Sequence, residues 1–303
     1  MSLSEAKPSL YTELALLGLL AFLWGASYPL IKIAVATIPP FSLIAARVFI
    51  AAILLSAVAW RGGHSLPRGG GIWGALLLQA FFNSIGAWTI LAWGQQYIDS
   101  GLASILNSTS PIFVFLFTFL VTRHEAGARQ KLIGMFFGIG GVCLIVGVDA
   151  LAGLGQQVVA QLAVLLGAVL YAGAAIHGRR FKTLPPVVTA GGTMIWASIC
   201  LIPLSMFIDR PWILTPSVTS MLATVALSVF STAGALLIYF RLVRTLGSMG
   251  VASQSYLRPA IAIALGVAFL GEVFTPAIGL GLLAVIIGVA AINGLFQSIR
   301  LIR

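Results

Sequence analysis

Long apolar runs separated by short polar breaks make up the chain from residue 12 to residue 297. Each run holds about 20 mainly apolar residues, the length that a helix needs to cross a hydrocarbon core of about 30 Å. The breaks carry helix-ending residues, as in Ile38-Pro39-Pro40 and Leu184-Pro185-Pro186. The pattern predicts an all-α polytopic membrane protein with ten transmembrane helices, over residues 12–35, 41–60, 72–96, 101–121, 130–148, 157–177, 186–208, 217–239, 250–270 and 277–297.

The composition places most of the protein surface against lipid rather than water. Hydrophobic residues make up 60% of the 303 residues, charged residues make up 8%, and the mean hydropathy is +1.08. A soluble domain carries roughly 25% charged residues, because its surface must be wetted. A water-soluble globule is therefore excluded, and we expect the chain to lie in a lipid bilayer.

The 17 basic residues are divided unevenly between the two sides of the predicted spans. Thirteen fall in the N-terminal segment, the even-numbered loops and the C-terminal tail, whereas Arg210 alone falls in the opposite loops. Because cytoplasmic loops carry the excess of Lys and Arg, this division predicts that both termini are cytoplasmic. It also argues against a nucleic-acid partner, despite the net charge of +10, because such a partner needs basic residues clustered on one face.

Two halves of the sequence resemble each other. Glu125 and Glu272 are each followed by a glycine nine residues later and by a Gly-Val pair sixteen residues later. Likewise, a Gly-X-Ala-Ser segment precedes a proline in both halves, at 101–104 and at 250–253. We therefore predict two tandem five-helix repeats, over residues 12–148 and 157–297.

The odd number of spans in each half predicts that the second repeat is inverted in the membrane relative to the first. Inverted repeats are an architecture of secondary transporters, which bind their substrate near the bilayer midplane between the repeats. Gene duplication in another kind of membrane protein remains the alternative interpretation.

Four sequence features resemble EamA-type members of the drug/metabolite transporter superfamily. The segment Phe22-Leu23-Trp24-Gly25-Ala26-Ser27-Tyr28 resembles the Trp-Gly motif that opens the family's first span. Residues 97–111 resemble its span 3 to span 4 signature, Arg47 matches an arginine of its second span, and residues 269–272 resemble the end of its ninth. The resemblance covers residues 12 to 297 and is closest to bacterial aromatic amino acid exporters. It implies transport across the bacterial inner membrane by alternating access.

Arg258 is the most informative polar residue inside a predicted span. It lies about eight residues into the ninth span, roughly 12 Å deep at about 1.5 Å per residue. Pro259 follows it and frees a backbone carbonyl, so we expect a local break in the helix there. Arg258 is predicted to bind a substrate carboxylate. Binding of freed carbonyls, or gating of the cytoplasmic side, remains the alternative. Arg47 is interpreted as a tie between helices.

Further polar and aromatic side chains recur at helical spacing along several spans. Together they suit a cavity for a mostly apolar metabolite with a polar head. For any single residue, packing or hydrogen bonding between helices is the alternative. The predicted substrate-binding residues are Trp24, Tyr28, Gln79, Phe82, Asn83, Trp88, Asn107, Ser108, Tyr171, Ser231, Thr232, Gln254, Tyr256 and Arg258.

The acidic residues are absent from the middle of the predicted spans. All seven fall in loops or at span ends, whereas proton relays and cation sites usually hold a carboxylate at mid-membrane. We therefore expect a facilitator or exchanger without a buried-carboxylate proton carrier.

Enzymatic chemistry has little support in the sequence. The three histidines are far apart, and the chain has no glycine-rich loop ending in Gly-Lys-Ser/Thr. We predict that the protein is not an enzyme and uses no cofactor or metal. We expect a monomeric exporter of small molecules, in particular aromatic or other apolar amino acids. The alternatives are export of other metabolites or drugs, and a channel-like membrane protein.

Overall fold

The structure is a computed structural model that describes residues 9–94, 96–98, 100–122, 128–146, 154–261 and 275–294. Within these residues every regular element is helical, which confirms the predicted all-α class for this part of the chain. The helices are α1 Leu10–Gly25, α2 Ser27–Val35, α3 Pro40–Arg61, α4 Gly70–Ala80, α5 Thr89–Gly94, α6 Ser100–Asn107, α7 Ser110–Thr122, α8 Ala128–Val146, α9 Val158–His177, α10 Pro186–Ile208, α11 Val218–Ser228, α12 Ala235–Thr245, α13 Gly247–Ala252, α14 254–261 and α15 Pro276–Ile292.

Short segments of other helix types join several of these elements. The segments Phe81–Trp88 and Val229–Gly234 are π-helical and connect α4 to α5 and α11 to α12. The segments Gly178–Phe181 and Pro211–Ile213 are 3₁₀-helical. A π segment carries an extra residue per turn, so it shifts the face that the following residues present.

Seven stretches of described helix are long and apolar enough to cross a membrane. They are Pro40–Arg61, Gly70–Gly94, Leu102–Leu120, Ala128–Ile145, Val158–Phe181, Pro186–Ile208 and Val218–Thr245. Leu10–Gly25 and Pro276–Ile292 are apolar but shorter. Residues 262–270 of the predicted ninth span and 295–297 of the tenth lie outside the described residues, so the number of ten helices stays a prediction.

The outer surface of the bundle carries large apolar side chains. Phe136 of α8 is 78% exposed and Phe207 of α10 is 84% exposed. Exposed large apolar side chains lie on most of the described helices, as a lipid-facing surface requires.

Helices α8 and α15 approach each other through glycines. A Cβ atom on Gly134 would lie 2.8 Å from the Gly288 carbonyl oxygen, and one on Gly141 would lie 2.7 Å from the Gly281 carbonyl oxygen. The backbones come this close because these positions have no side chain. Gly134 and Gly281 each lie nine residues after a glutamate, Glu125 or Glu272, and Gly141 and Gly288 each lie sixteen residues after it, so they are equivalent positions of the two predicted repeats. Gly134 contacts Gly288, and Gly141 contacts Gly281, so exchanging the two predicted repeats turns one contact into the other. A two-fold axis produces this pattern.

The ninth predicted span breaks at a different place from the one expected. Helix α14 continues through Pro259, and the break lies six residues earlier, at Ser253. The carbonyl that Pro259 leaves without its helical donor belongs to Ser255, and the Ser108 hydroxyl donates to it at 3.1 Å. Because a neighbouring side chain satisfies this carbonyl, the helix does not have to break at Pro259.

Candidate functional site

Two small cavities lie inside the bundle and share one wall. Cavity 1 has a volume of about 50 Å³ and cavity 2 about 20 Å³. Cavity 1 is lined by Trp24, Ser27, Ile31, Ile44, Arg47, Trp88, Leu91, Ala92, Asn107, Tyr171 and Arg258. Cavity 2 is lined by Trp24, Ser110, Tyr171, Ala175, Tyr239, Val251, Ala252, Gln254, Ser255 and Arg258.

Trp24, Tyr171 and Arg258 line both cavities and therefore form the partition between them. Cavity 2 lies on the side of the bundle where α1 begins. Helix α12 ends on that side and contributes Tyr239 to the wall of cavity 2. The position of that end is fixed by Arg241 of α12, whose Nη2 lies 2.8 Å from Oε1 of Glu13 in the first turn of α1. Cavity 1 lies on the opposite side of the partition.

Arg258 is held beside Trp24 by the close approach of α14 to α1. A Cβ on Gly25 would lie 3.2 Å from the Arg258 carbonyl oxygen, so the glycine allows the two backbones to come together. The guanidinium carbon of Arg258 lies 4.6 Å from the Trp24 ring centre and 5.8 Å from that of Tyr171, both within range of a cation–π interaction. Its Nε donates to Oε1 of Gln254 at 2.7 Å.

The Arg258 guanidinium retains hydrogen-bond donors that could bind a ligand. Among the described residues Gln254 supplies its hydrogen-bond acceptor, and that bond uses Nε. The described residues supply no hydrogen-bond acceptor to its two terminal nitrogens, and Arg258 lines both cavities. A pair of parallel N–H donors is the geometry that binds a carboxylate through two charge-assisted hydrogen bonds.

Arg47 is positioned by the π-helical segment Val229–Gly234. Its Nε donates to Oγ1 of Thr232 at 2.5 Å, and its Nη2 donates to the carbonyl oxygen of Ser231 at 3.1 Å. Its guanidinium carbon lies 4.1 Å from the Trp88 ring centre. Arg47 therefore ties α3 to the π segment, as the sequence interpretation holds, and it also lines cavity 1.

The carbonyl oxygen of Ser231 links Arg47 to Trp24. It accepts from Nη2 of Arg47 and from Nε1 of Trp24, the latter at 3.0 Å. The Ser231 hydroxyl in turn donates to the Leu23 carbonyl oxygen at 2.8 Å. π-Helical segments are frequent at functional sites, because they release backbone groups from the regular helical pattern.

The described wall of the cavities carries positive charge without a carboxylate. The described acids are Glu13 and Asp209, and neither lines either cavity. Glu13 accepts from Arg241 and from the Thr245 hydroxyl, and Asp209 accepts from the backbone N–H of Ser42 at 2.6 Å. Glu5, Asp99, Glu125, Asp149 and Glu272 lie outside the described residues. Within the described part of the chain, His, Cys, Asp and Glu form no group that fits a metal ion.

The structure brings eight of the predicted site residues together. Two of them, Ser231 and Thr232, hold Arg47 and Trp24 from behind rather than lining a cavity. The remaining six line cavity 1, cavity 2 or both, and they are Trp24, Trp88, Asn107, Tyr171, Gln254 and Arg258.

Five predicted residues line neither cavity. Nε2 of Gln79 donates to the Ala174 carbonyl oxygen at 3.2 Å, and the Phe82 ring packs against His177 at a centroid distance of 6.1 Å. Asn83 is buried away from both cavities, and the Ser108 hydroxyl donates to the carbonyl oxygens of Ser104 and Ser255.

The fifth of these residues is Tyr256, whose fully buried ring lies where a Cβ on Gly138 would be. Gln254 and Arg258 share a face of α14, so Tyr256, two positions from each, points away from them. Tyr28 lies in α2, but its side chain lies outside the described part of the structure.

Several cavity residues were not predicted from the sequence. Ser27 is three positions after Trp24, and Leu91 and Ala92 are three and four positions after Trp88, so helical spacing alone could have indicated them. Tyr239 reaches cavity 2 from a position that the sequence places at a span end, and its ring lies 5.5 Å from that of Trp24.

Known proteins resemble the chain over most of its length. It is 27% identical over 254 residues to the uncharacterized inner membrane transporter YedA of Escherichia coli K12, covering 84% of this chain and 81% of that protein. It is 28% identical over 293 residues to the uncharacterized transporter YvbV of Bacillus subtilis, covering 92% and 90%. It is 27% identical over 262 residues to the protein PagO of Salmonella typhimurium, covering 82% and 81%.

A structural comparison and a family profile agree with the similarity to these transporters. A crystal structure of another protein aligns with a TM-score of 0.74 at 18% identity, covering 94% of this chain and 98% of the other. At that identity the alignment shows a shared fold. The sequence profile of the EamA-like transporter family matches residues 12–147 and again residues 158–294. The chain therefore belongs to the EamA-like transporter family, whose members are membrane transporters of small molecules.

Proposed function

We propose that the protein is a secondary transporter that exports small carboxylate-bearing metabolites by alternating access. The observation that carries this proposal is the partition of Trp24, Tyr171 and Arg258 between two internal cavities. A carrier must separate its two entrances from each other. Here one residue of the partition, Arg258, is also a buried cation whose terminal nitrogens can donate hydrogen bonds to a ligand.

Alternating access is supported by the size of the cavities. Pockets that bind small organic ligands hold about 300–1,000 Å³. Cavities of about 50 and 20 Å³ are too small for such a ligand, so the helices must move before a metabolite enters. The π segments and the break at Ala26 interrupt regular helix beside the cavities and offer places for this movement.

The inverted repeats of residues 12–148 and 157–297 form part of the proposal. The reciprocal glycine contacts of α8 with α15 support a two-fold relation between the halves. In transporters of this design one repeat moves against the other around a fixed midplane site.

The substrate class is proposed from the cavity walls. Trp24, Trp88 and Tyr171 supply aromatic surface, Asn107 supplies an amide, and Arg258 supplies two donors for a carboxylate. Aromatic or other apolar amino acids belong to this class, as the sequence predicts. The closer likeness to the aromatic amino acid exporter YddG stays a prediction.

The proposed location is the bacterial inner membrane, with both termini in the cytoplasm. The relative YedA is named as an inner membrane transporter, and this name and the apolar outer surface support the location. We propose a functional monomer, because one chain contributes both cavities and the partition between them. A nucleic-acid partner, a cofactor and a metal form no part of the proposal.

Counterflow in liposomes tests the proposal and separates a carrier from a channel. Purified protein is reconstituted into liposomes loaded with an unlabelled aromatic carboxylate, and uptake of the same labelled compound is followed. A carrier gives saturable uptake that the internal compound accelerates, whereas a channel gives no such acceleration. Phe207→Leu, a change on the lipid-facing surface, serves as the control variant and should transport normally. Uptake that is neither saturable nor accelerated would favour the channel-like alternative.

A further inference from the structure

We infer that the site prefers organic anions to zwitterions of the same shape, so that aromatic or apolar acids without an ammonium group bind more tightly than the corresponding amino acids. The inference rests on the proposed transport function and specifies the substrate of the same cavities. It follows from the charges that the described residues place around cavity 1.

Two guanidinium groups line cavity 1, and the described residues supply no carboxylate to match them. Arg47 is 4% exposed and Arg258 is 7% exposed, so water does little to screen either charge. The two groups also lie within electrostatic range of each other. A buried charge is usually paired with an opposite charge, and here an entering anion would supply it.

The protein partners of both arginines are neutral. Arg47 has a hydroxyl, a carbonyl oxygen and the ring of Trp88. Arg258 has the side-chain amide of Gln254 and the rings of Trp24 and Tyr171. These partners orient the guanidinium groups without cancelling their charge. The field in cavity 1 is therefore positive, and it strengthens the binding of any acid group.

An ammonium group would be poorly placed in the same cavity. The aromatic faces that favour a cation already hold Arg47 over Trp88 and Arg258 over Trp24. The Ser231 carbonyl oxygen beside them already accepts two hydrogen bonds. A zwitterion therefore gains from its carboxylate but loses from repulsion of its ammonium, whereas a simple anion has no such loss.

Three compounds with one phenylethyl body test the inference. The anion is 2-phenylethanesulfonate, which stays ionised and does not leak through the bilayer as a neutral acid. The zwitterion is phenylalanine, and the cation is 2-phenylethylamine. Binding is measured by thermal stabilisation of the purified protein, and charge movement by currents from proteoliposomes on a solid-supported membrane.

We expect the sulfonate to bind at least 10-fold more tightly than phenylalanine and to give saturable currents with the sign of a moving anion. The amine should give neither. Arg47→Gln and Arg258→Gln should each weaken sulfonate binding at least 10-fold. Arg244→Gln removes the same charge from an exposed position of α12 and should leave binding unchanged.

Phenylalanine binding as tight as that of the sulfonate would overturn the inference, and so would failure of the sulfonate to bind. Either result leaves the transport function open to its own test, because counterflow of phenylalanine would still identify a carrier. Arginine variants that misfold are recognised by loss of the monodisperse peak in detergent. Arg47→Lys and Arg258→Lys, which keep the charge, then replace them and should retain the preference for the anion.

Discussion

The guanidinium of Arg258 stacks over the indole of Trp24, with 4.6 Å between the guanidinium carbon and the ring centre. The indole is itself fixed, because its Nε1 donates to the Ser231 carbonyl oxygen at 3.0 Å. Gln254 also fixes the guanidinium, because its Oε1 accepts a hydrogen bond from Nε. The cation at the partition is thus oriented before a ligand arrives, with both terminal nitrogens available to it. Such preorganisation lowers the free energy that binding must spend on ordering the site.

Arg258→Ala should strongly weaken transport of carboxylate substrates and leave the fold intact. A charge-assisted hydrogen bond contributes about 1.5–3 kcal/mol, which corresponds to a loss of roughly 10- to 150-fold in affinity. The measurement is the concentration dependence of counterflow in liposomes, with thermal unfolding in detergent to check folding. Arg244→Ala is the matched control, because its side chain is exposed at the end of α12. Normal transport by the Arg258 variant would remove this residue from the site.

Gly141→Ala should destabilise the protein, because α8 and α15 leave no space for a side chain there. The new Cβ would lie 2.7 Å from the Gly281 carbonyl oxygen and 2.8 Å from the Val285 backbone nitrogen. Overpacking of this kind lowers the free energy of unfolding by about 1–3 kcal/mol. The measurement is the thermal unfolding midpoint in detergent.

The neighbouring glycine of the same helix provides the control for that experiment. A Cβ on Gly140 would have no atom within 4 Å. Gly140→Ala should therefore keep or slightly raise the unfolding midpoint, since Ala favours helix over Gly by about 1 kcal/mol. Equal effects of the two substitutions would show that the close contact of α8 and α15 is not a source of stability.

The sequence predicts the fold class and the central residues of the site for one physical reason. Charged and aromatic groups inside apolar runs are costly unless they meet a partner or a cavity, so Arg258, Trp24 and Trp88 were recognisable from the sequence. The same reasoning gave Arg47 a structural role. In the structure Arg47 ties helices together, and its side chain also lines cavity 1.

The π segments could not be predicted from the sequence. Gln79 and Asn83 lie four positions apart and share a face of a regular helix. The π segment Phe81–Trp88 begins between them and changes the number of residues per turn. In the structure Gln79 contacts α9, whereas Trp88 lines cavity 1. Nothing in local hydrophobic spacing marks where a helix changes its period, because the change is set by packing against neighbouring helices.

Glu13→Ala should destabilise the contact between α1 and α12. Glu13 is 2% exposed and accepts hydrogen bonds from Arg241 and from the Thr245 hydroxyl. Arg241 is half-exposed, so solvent weakens the ion pair, and we expect a loss of about 1–2 kcal/mol in the free energy of unfolding. The measurement is a double-mutant cycle with Arg241→Ala in detergent. Additive effects of the two substitutions would show that the pair contributes no coupling energy.

Thr232→Val should weaken both the fold and the binding of substrate, because it removes the acceptor for Nε of Arg47 while keeping the side-chain volume. A buried donor that loses its partner destabilises a protein by about 1–3 kcal/mol. A reoriented Arg47 should also weaken binding in cavity 1. Thr224→Val is the control, since its hydroxyl bonds the Ser220 carbonyl of its own helix and makes no contact with Arg47. The measurements are the thermal unfolding midpoint and the half-saturating concentration in counterflow. Because orientation of the guanidinium is the proposed cause, loss of stability with unchanged half-saturation would confine Arg47 to a structural role.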